Sequence, residues 1–122
     1  MTSASPAAGG QMSAQLQEAI RNCTECHQVC LETVAHGLQT GGRHAEEAHV
    51  RLLLDCAQLC ATSADFMTGG SGFARQLCGV CAEVCDRCAE DCERFEEDFM
   101  RRCAEVCRRC AQSCRQMAGM TA

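Results

Sequence analysis

Cysteine is the residue type in this sequence best suited to metal binding and redox chemistry, and its spacing is regular. The chain has 122 residues, of which 14 are cysteines. Five fall within CGVCAEVCDRCAEDC, residues 78–92, and four within CAEVCRRCAQSC, residues 103–114. Within each run, two or three residues separate neighbouring cysteines. Thiolates are soft ligands that select Cu(I), Zn(II) or iron–sulfur clusters, so this pattern indicates metal binding or thiol redox chemistry.

The spacing places the cysteines of each run on one face of a helix. At about 100° per residue, the cysteines of residues 78–92 span about 80° of arc and those of residues 103–114 about 60°. CTECHQVC, residues 23–30, and CAQLC, residues 56–60, follow the same rule. Each run therefore predicts an amphipathic helix whose buried stripe consists of sulfur. The predicted metal ligands are Cys23, Cys26, Cys30, Cys56, Cys60, Cys78, Cys81, Cys85, Cys88, Cys92, Cys103, Cys107, Cys110 and Cys114.

Four helices are needed to position these stripes around one axis. Helix-compatible sequence covers residues 11–40, about 43–67 and about 73–93, and a fourth segment ends near Met117. TGGR and TGGSG separate the first three segments, and ERFEEDF separates the last two. No segment alternates polar and apolar residues with period two, so strands are not expected. The fold class that we predict is all-α, an up-down-up-down four-helix bundle with a cysteine-lined core.

The size of the chain allows one domain. We predict that the bundle covers residues 11–118 and that residues 1–10, which contain Pro6 and AAGG, form a flexible tail. Trp and Tyr are absent and Phe occurs four times, so the core is poor in large side chains. The cysteines must therefore either fill the core themselves or bind something that holds it together.

Charge and hydropathy exclude several classes of partner. The net charge of −5 argues against nucleic-acid binding, which favours a basic patch. No apolar run is long enough to cross a membrane. The first residues, MTSASPAAGG, lack the basic and apolar regions of an export signal, so we expect a cytoplasmic protein with reduced thiols.

Packing, disulfide and redox roles account for the cysteines less well than metal binding does. One or two buried cysteines are routine core residues, but fourteen on four stripes are not. Cysteines three or four residues apart on one helix are poorly placed for disulfides. A thiol-redox enzyme would need one cysteine far more reactive than the rest, so we do not expect an enzyme.

Charge favours Cu(I) among the soft metals. One Cu(I) ion neutralises one thiolate, so a loading near one ion per cysteine leaves an uncharged core. Zn(II) with four thiolates leaves two negative charges and needs tetrahedral convergence. The alternatives are a zinc or cadmium thiolate store of metallothionein type, or a thiol-redox protein.

The sequences CTECHQVCLE, DCAQLC, LCGVCAEVCDRCAEDC and CAEVCRRCAQSCRQMA resemble the bacterial copper storage proteins over residues 16–118. The resemblance implies a bundle with thiolate-bridged, multinuclear Cu(I) along its axis, all 14 cysteines as ligands, and commonly a homotetramer. Without an export signal, the chain is more similar to the cytosolic branch of the family. We expect it to take Cu(I) from glutathione or a copper chaperone and to sequester it.

Three histidines cluster around the connection between the first two predicted helices. His49 lies about 20° from Cys56 on the same stripe, whereas His36 faces away from its stripe. Members of the family place His or Met where copper enters the bundle. The resemblance therefore implies that His49, then His44 and His36, meet the incoming ions, with Met100 opposite.

The remaining soft or aromatic residues have more ordinary interpretations. The connection before the fourth helix has no histidine, unlike that of many family members, and Phe95 and Phe99 could narrow that end instead. His27 borders the first stripe as an auxiliary ligand or a rim residue. Met67 and Met117 are in register with their stripes at the opposite end, and we interpret them as core residues.

Overall fold

The computed structural model describes residues 13–119, which form four long helices and contain no strand. The helices are α1, Ala14–Thr40, α2, Glu47–Thr68, α3, Ala74–Cys92, and α4, Asp98–Ala118. A short 3₁₀ helix, Gly42–Ala45, lies between α1 and α2. The all-α prediction is confirmed, and the predicted tail, residues 1–10, lies outside the described residues.

Each helix packs against two neighbours around a common axis. Helix α1 contacts α2 and α4, and α3 contacts the same two helices. The α1–α2 and α3–α4 connections meet at one end, where the Arg43 guanidinium donates to the Arg94 carbonyl at 3.1 Å. This is the predicted up-down-up-down bundle. We call the end formed by residues 41–46 and 93–97 the histidine end.

Ordinary caps are present at the start of α1 and at the end of α4. Before α1, the Ser13 hydroxyl accepts a hydrogen bond from the Leu16 amide at 3.0 Å, which satisfies a backbone donor that has no partner within the helix. Helix α4 ends at Ala118, and its C-cap, Gly119, has a φ of 76°, which is left-handed and favours glycine.

The second helix begins later than the sequence predicts, at Glu47 instead of near residue 43. Gly41 and Gly42 both have positive φ, at 79° and 58°, so α1 ends there and the chain turns before it can restart a helix. The 3₁₀ helix then packs closely on α1 at Gly37. A Cβ atom on Gly37 would lie 2.4 Å from the His44 carbonyl oxygen, so this approach requires glycine.

The core consists mainly of sulfur and small side chains. All 14 cysteines are buried and none forms a disulfide. Alanines such as Ala82, Ala89 and Ala111 fill the space between neighbouring helices. Large buried side chains such as Leu53 and Met100 are few. The helices therefore approach one another closely enough for their sulfur stripes to meet.

Charged residues occupy the outer faces and join neighbouring helices. Arg109 pairs with Glu25 at 3.2 Å across α4 and α1, and Arg108 pairs with Asp86 at 3.1 Å across α4 and α3. Exposed pairs of this kind contribute about 1 kcal/mol or less each, so they adjust the helix register without supplying the stability. No helix between residues 13 and 119 is both long and apolar enough to span a membrane.

Candidate metal centre

The shortest sulfur–sulfur distances in the core join different helices. Cys23 Sγ lies 3.5 Å from Cys114 Sγ and 3.6 Å from Cys110 Sγ, which links α1 to α4. Cys60 Sγ lies 3.7 Å from Cys81 Sγ, which links α2 to α3. The stripes thus form one continuous array of thiols along the bundle axis.

Pairs along a single helix are slightly wider. Cys26 and Cys30 are 4.0 Å apart at sulfur, and Cys81 and Cys85 are 3.9 Å apart. In these two pairs, cysteines four positions apart on one helix are therefore neighbours at sulfur, although a typical sulfur in the middle of the array has its nearest partner on another helix. Cys60 illustrates this, because it contacts sulfurs of both α3 and α4.

Three groups of four thiols have all their sulfur atoms within 4.8 Å of one another. The groups are Cys23, Cys81, Cys110 and Cys114; Cys26, Cys60, Cys85 and Cys110; and Cys26, Cys30, Cys56 and Cys107. Cys26 and Cys110 each belong to two groups, so the groups are not separate sites. This sharing suits bridging thiolates, in which one sulfur binds more than one ion.

Four cysteines lie beyond these groups, toward the two ends of the array. Cys78 contacts Cys114 at the end opposite the histidines. Cys92 contacts Cys103 and Cys88 near the histidine end. The structure thus brings all the cysteines predicted to be ligands into one buried array.

Contacts between thiols and burial shift the acidity of the array. The neighbouring Cys114 thiol and burial both raise the pKa of Cys78. Hydrogen bonds from Cys110 and Cys114 lower the pKa of Cys23 to about 6, because they stabilise its thiolate. Where the pKa is raised, a metal ion must displace a proton in order to bind.

His49 lies buried at the histidine end, and one of its ring nitrogens has a carboxylate partner. Its side chain is 1% exposed, and its Nδ1 lies 2.5 Å from an oxygen of Asp91. The other ring nitrogen, Nε2, is buried and has no hydrogen-bond partner among residues 13–119. An imidazole held through one nitrogen by a carboxylate, with the other nitrogen free, is the usual arrangement of a metal-binding histidine.

His36 and His44 converge on Glu97, at the start of α4. The Nε2 atoms of His36 and His44 lie 3.1 Å and 2.7 Å from the same Glu97 oxygen, Oε1. Desolvation raises the pKa of Glu97, but hydrogen bonds with both imidazoles outweigh it, so the pKa lies below its usual value. The structure therefore separates these two histidines, which are half-buried, from the fully buried His49.

The remaining candidate residues are explained by packing or by hydrogen bonding to the backbone. The His27 Nδ1 lies 2.8 Å from the Ala57 carbonyl oxygen, which ties α1 to α2 at the rim. Met67 and Met100 are buried in the core. Phe95 is also buried, and its ring lies between those of His44 and His49, at centroid distances of 4.5 Å and 4.8 Å. Phe95 thus lies inside the histidine end, whereas Phe99, which we also expected to narrow that end, is exposed.

The sequence did not identify two acidic residues of this end, Asp91 and Glu97. Both lie within the acidic segment EDCERFEED, residues 90–98, where carboxylates are numerous. The only available signal was that this segment and the histidine-rich connection share one end of an up-down bundle. That signal could not tell which carboxylates face the histidines.

Comparison with known proteins supports this geometry. The sequence matches the copper storage protein family over residues 12–119, whereas no curated protein gives a significant match. A Nitrosospira multiformis protein of solved structure is 45% identical, with a TM-score of 0.82 and coverage of 88% of this chain and 97% of that one.

Two further solved structures are of copper-bound storage proteins. Cu(I)-bound copper storage protein BsCsp3, from Bacillus subtilis, is 30% identical, with a TM-score of 0.81 and coverage of 85% of this chain and 98% of that one. A cytosolic copper storage protein from Streptomyces lividans, with five coppers, is 26% identical, with a TM-score of 0.74 and coverage of 88% and 95%. Because the family match spans the whole described bundle and every cysteine, the chain belongs to the copper storage protein family.

Proposed function

We propose that this protein stores Cu(I) in its thiol-lined core. The observation that carries the proposal is the continuous buried array of 14 free cysteines, in which sulfurs of neighbouring helices lie as close as 3.5 Å. Cu(I) binds soft ligands, and each ion balances the charge of one thiolate, so a filled core carries little net charge. An uncompensated row of buried thiolates would be far too unfavourable to form.

We assign all the cysteines as Cu(I) ligands, and His49, His44 and His36 as the residues that meet incoming ions. Support for His49 comes from its Nε2, which is buried and has no hydrogen-bond partner among residues 13–119. His44 and His36 lie farther out, so an ion would reach them first. The two outer histidines would deliver the ion to His49, which would pass it to the thiols.

The biological setting is part of the proposal. The protein would act in the cytoplasm, accept Cu(I) from glutathione or a copper chaperone, and assemble as a homotetramer. Its action is binding and sequestration, with no chemical conversion of a substrate.

An anaerobic titration of the reduced protein with Cu(I), in competition with a chromogenic cuprous chelator, tests the proposal. We expect the protein to withhold about ten or more ions per chain from the chelator, because each soft thiolate can bind Cu(I). If the chelator regains the copper after one or two equivalents, Cu(I) storage is wrong.

Zinc storage is the second candidate, and one feature favours it. In a tetrahedral site with Zn–S bonds of about 2.3 Å, sulfurs lie roughly 3.8 Å apart, close to the distances seen here. The first and third four-thiol groups share no cysteine and could each hold one Zn(II). Zinc storage predicts that Zn(II) binding saturates near two ions per chain.

A further inference from the structure

His36, His44 and Glu97 form a cluster with a different donor set from that of the core, and we call it the outer triad. Its three candidate ligand atoms, two imidazole nitrogens and one carboxylate oxygen, lie within 4.8 Å of one another. In a tetrahedral site with bonds near 2.1 Å, ligand atoms lie roughly 3.4 Å apart. Side-chain adjustments of about an ångström would therefore close the outer triad around an ion.

Aromatic contacts already hold both imidazoles in place. The His36 ring stacks on Phe99 with centroids 4.3 Å apart and an angle of 9° between the planes. The His44 ring packs against Phe95 at 4.5 Å. Glu97 is the N-cap of α4, so its backbone is fixed at the start of a long helix. A site whose ligands are held beforehand loses less conformational entropy when an ion binds.

The surrounding charges leave Glu97 available for a cation. Within residues 13–119, the ion pairs of Glu97 are those with the two histidines. The nearby Arg94 pairs with Asp91 at 2.8 Å, and Arg101 pairs with Asp98 at 2.6 Å. Neither arginine therefore competes as the ion-pair partner of Glu97.

The donor set determines which ion the outer triad would bind. Imidazole suits Zn, Cu, Fe and Ni, and carboxylate is a hard oxygen ligand, so the outer triad retains a divalent ion, whereas a Cu(I) ion that meets the imidazoles passes on to the softer thiols. We propose that His36, His44 and Glu97 bind one exchangeable divalent transition-metal ion, such as Zn(II), Ni(II) or Cu(II), at a site separate from the thiol core. Three protein ligands leave coordination positions open to water, so the ion can exchange with solvent.

Binding requires a rearrangement of protons at the outer triad. Without metal, each Nε2 lies at hydrogen-bond distance from the carboxylate oxygen and can donate its N–H to it. With metal, the two Nε2 lone pairs bind the ion, and each imidazole carries its proton on Nδ1. The carboxylate then exchanges hydrogen bonds for a bond to the cation.

The test is to titrate Ni(II) into the reduced, copper-free full chain and to follow the amide signals by two-dimensional NMR. Ni(II) with nitrogen, oxygen and water ligands is paramagnetic and broadens nearby signals. We expect saturable broadening around residues 36, 44 and 97 at one ion per chain. Glu97→Gln and His44→Gln should each weaken this binding by more than about tenfold. Loss of an outer-shell partner alone typically weakens metal binding by about 10–100-fold, and loss of a ligand should have at least as large an effect.

His27→Gln is the matched control, because His27 is a half-buried histidine that contacts backbone outside the outer triad. This variant should bind Ni(II) as the wild type does, and unchanged amide signals elsewhere verify the fold of all three variants. Broadening confined to the cysteines, no saturable broadening, or broadening that persists in Glu97→Gln and His44→Gln would each overturn the proposal. None of these results depends on whether the core stores Cu(I).

Discussion

At the scale of single residues, Asp91 determines which nitrogen of His49 is available to a metal. The carboxylate accepts the Nδ1–H, which leaves Nε2 as a lone-pair donor inside the bundle. The free nitrogen is buried and would otherwise be an unsatisfied polar atom, which is unfavourable by about 1–3 kcal/mol. A metal ion would relieve that penalty, so Asp91 is a positioning residue for the proposed ligand.

We predict that Asp91→Asn and His49→Gln slow Cu(I) uptake about tenfold or more, since outer-shell partners typically change metal binding by 10–100-fold. The final copper content should stay nearly the same, because the cysteines hold the stored ions. Stopped-flow transfer from a coloured cuprous complex measures the rate, and His27→Gln serves as the control. Unchanged rates in both variants, or a loss of capacity in proportion to the rate, would contradict the assigned role.

The acidity of the thiols leads to a second prediction at this scale. The pKa of Cys78 is raised by its neighbour Cys114 and by burial, so this thiol is protonated at neutral pH. Cu(I) must then displace its proton, and a lower pH favours the protonated thiol over the metal-bound one. Apparent Cu(I) affinity should therefore fall by about tenfold per pH unit for each proton released.

Chelator competition between about pH 6 and about pH 8 measures this dependence, and calorimetry in buffers of different ionisation enthalpy counts the protons. We expect about one proton per ion for thiols that resemble Cys78 and less than one for Cys23, whose pKa is lowered to about 6. An affinity that does not change with pH would mean that the thiolates exist before metal arrives.

The sequence predicted the positions of some of these residues and missed those of others. A helical phase of about 100° per residue was enough to place every cysteine, and also His49, inside the bundle. Phase cannot give the partners Asp91 and Glu97, because their positions depend on how α3 and α4 face the α1–α2 connection. The orientation of one acidic segment against another segment is a tertiary property.

At the scale of helices and turns, Gly37 controls the position of the histidine end. It has no Cβ, and the 3₁₀ helix that carries His44 packs directly against it. We predict that Gly37→Ala destabilises the reduced apo protein by about 1–3 kcal/mol, the usual effect of overpacking. Alanine favours helix by up to about 1 kcal/mol over glycine, but a Cβ 2.4 Å from a backbone oxygen outweighs that gain.

Denaturant unfolding of the apo protein measures the effect. Gly72→Ala is the matched control, because a Cβ there would meet no heavy atom within 4 Å. We expect the control to unfold as the wild type does. A Gly37→Ala variant at least as stable as wild type would show that the 3₁₀ helix can move away at no cost, and the histidine end would then be loosely held.

Helix existence could be predicted from the sequence, whereas the contacts between helices could not. Glycine runs and cysteine stripes identified all four helices, but not the 3₁₀ helix, Gly42–Ala45, because a glycine pair allows several turn conformations. The stripes also indicated neighbours along one helix, such as Cys81 and Cys85. That Cys23 lies closest to Cys114, on another helix, depends on the helix register and on the small alanines that permit close packing.

At the scale of the whole molecule, the same side chains form both the core and the metal site. Ordinary bundles are stabilised by large buried side chains that contribute about 1.5–3 kcal/mol each. Here the axis is lined by cysteines instead, and large apolar groups such as Leu53 and Met100 are exceptions. Without metal, the four helices are held by weak thiol contacts and small apolar groups. With metal, bonds from sulfur to ion would connect all four helices.

We therefore predict that Cu(I) loading strongly raises the melting temperature of the protein. A ligand at 100 times its dissociation constant stabilises the folded state by about 2.7 kcal/mol per site, and several ions act together. Because about 1 kcal/mol shifts the melting temperature of a domain near this size by roughly 4–8 °C, we expect a rise of more than about 10 °C. Calorimetry of reduced, anaerobic samples measures it, and stripping the copper with an excess of cuprous chelator should restore the apo value. Equal melting temperatures would mean that the cysteines act as small core residues, since a metal that connects all four helices cannot leave their stability unchanged.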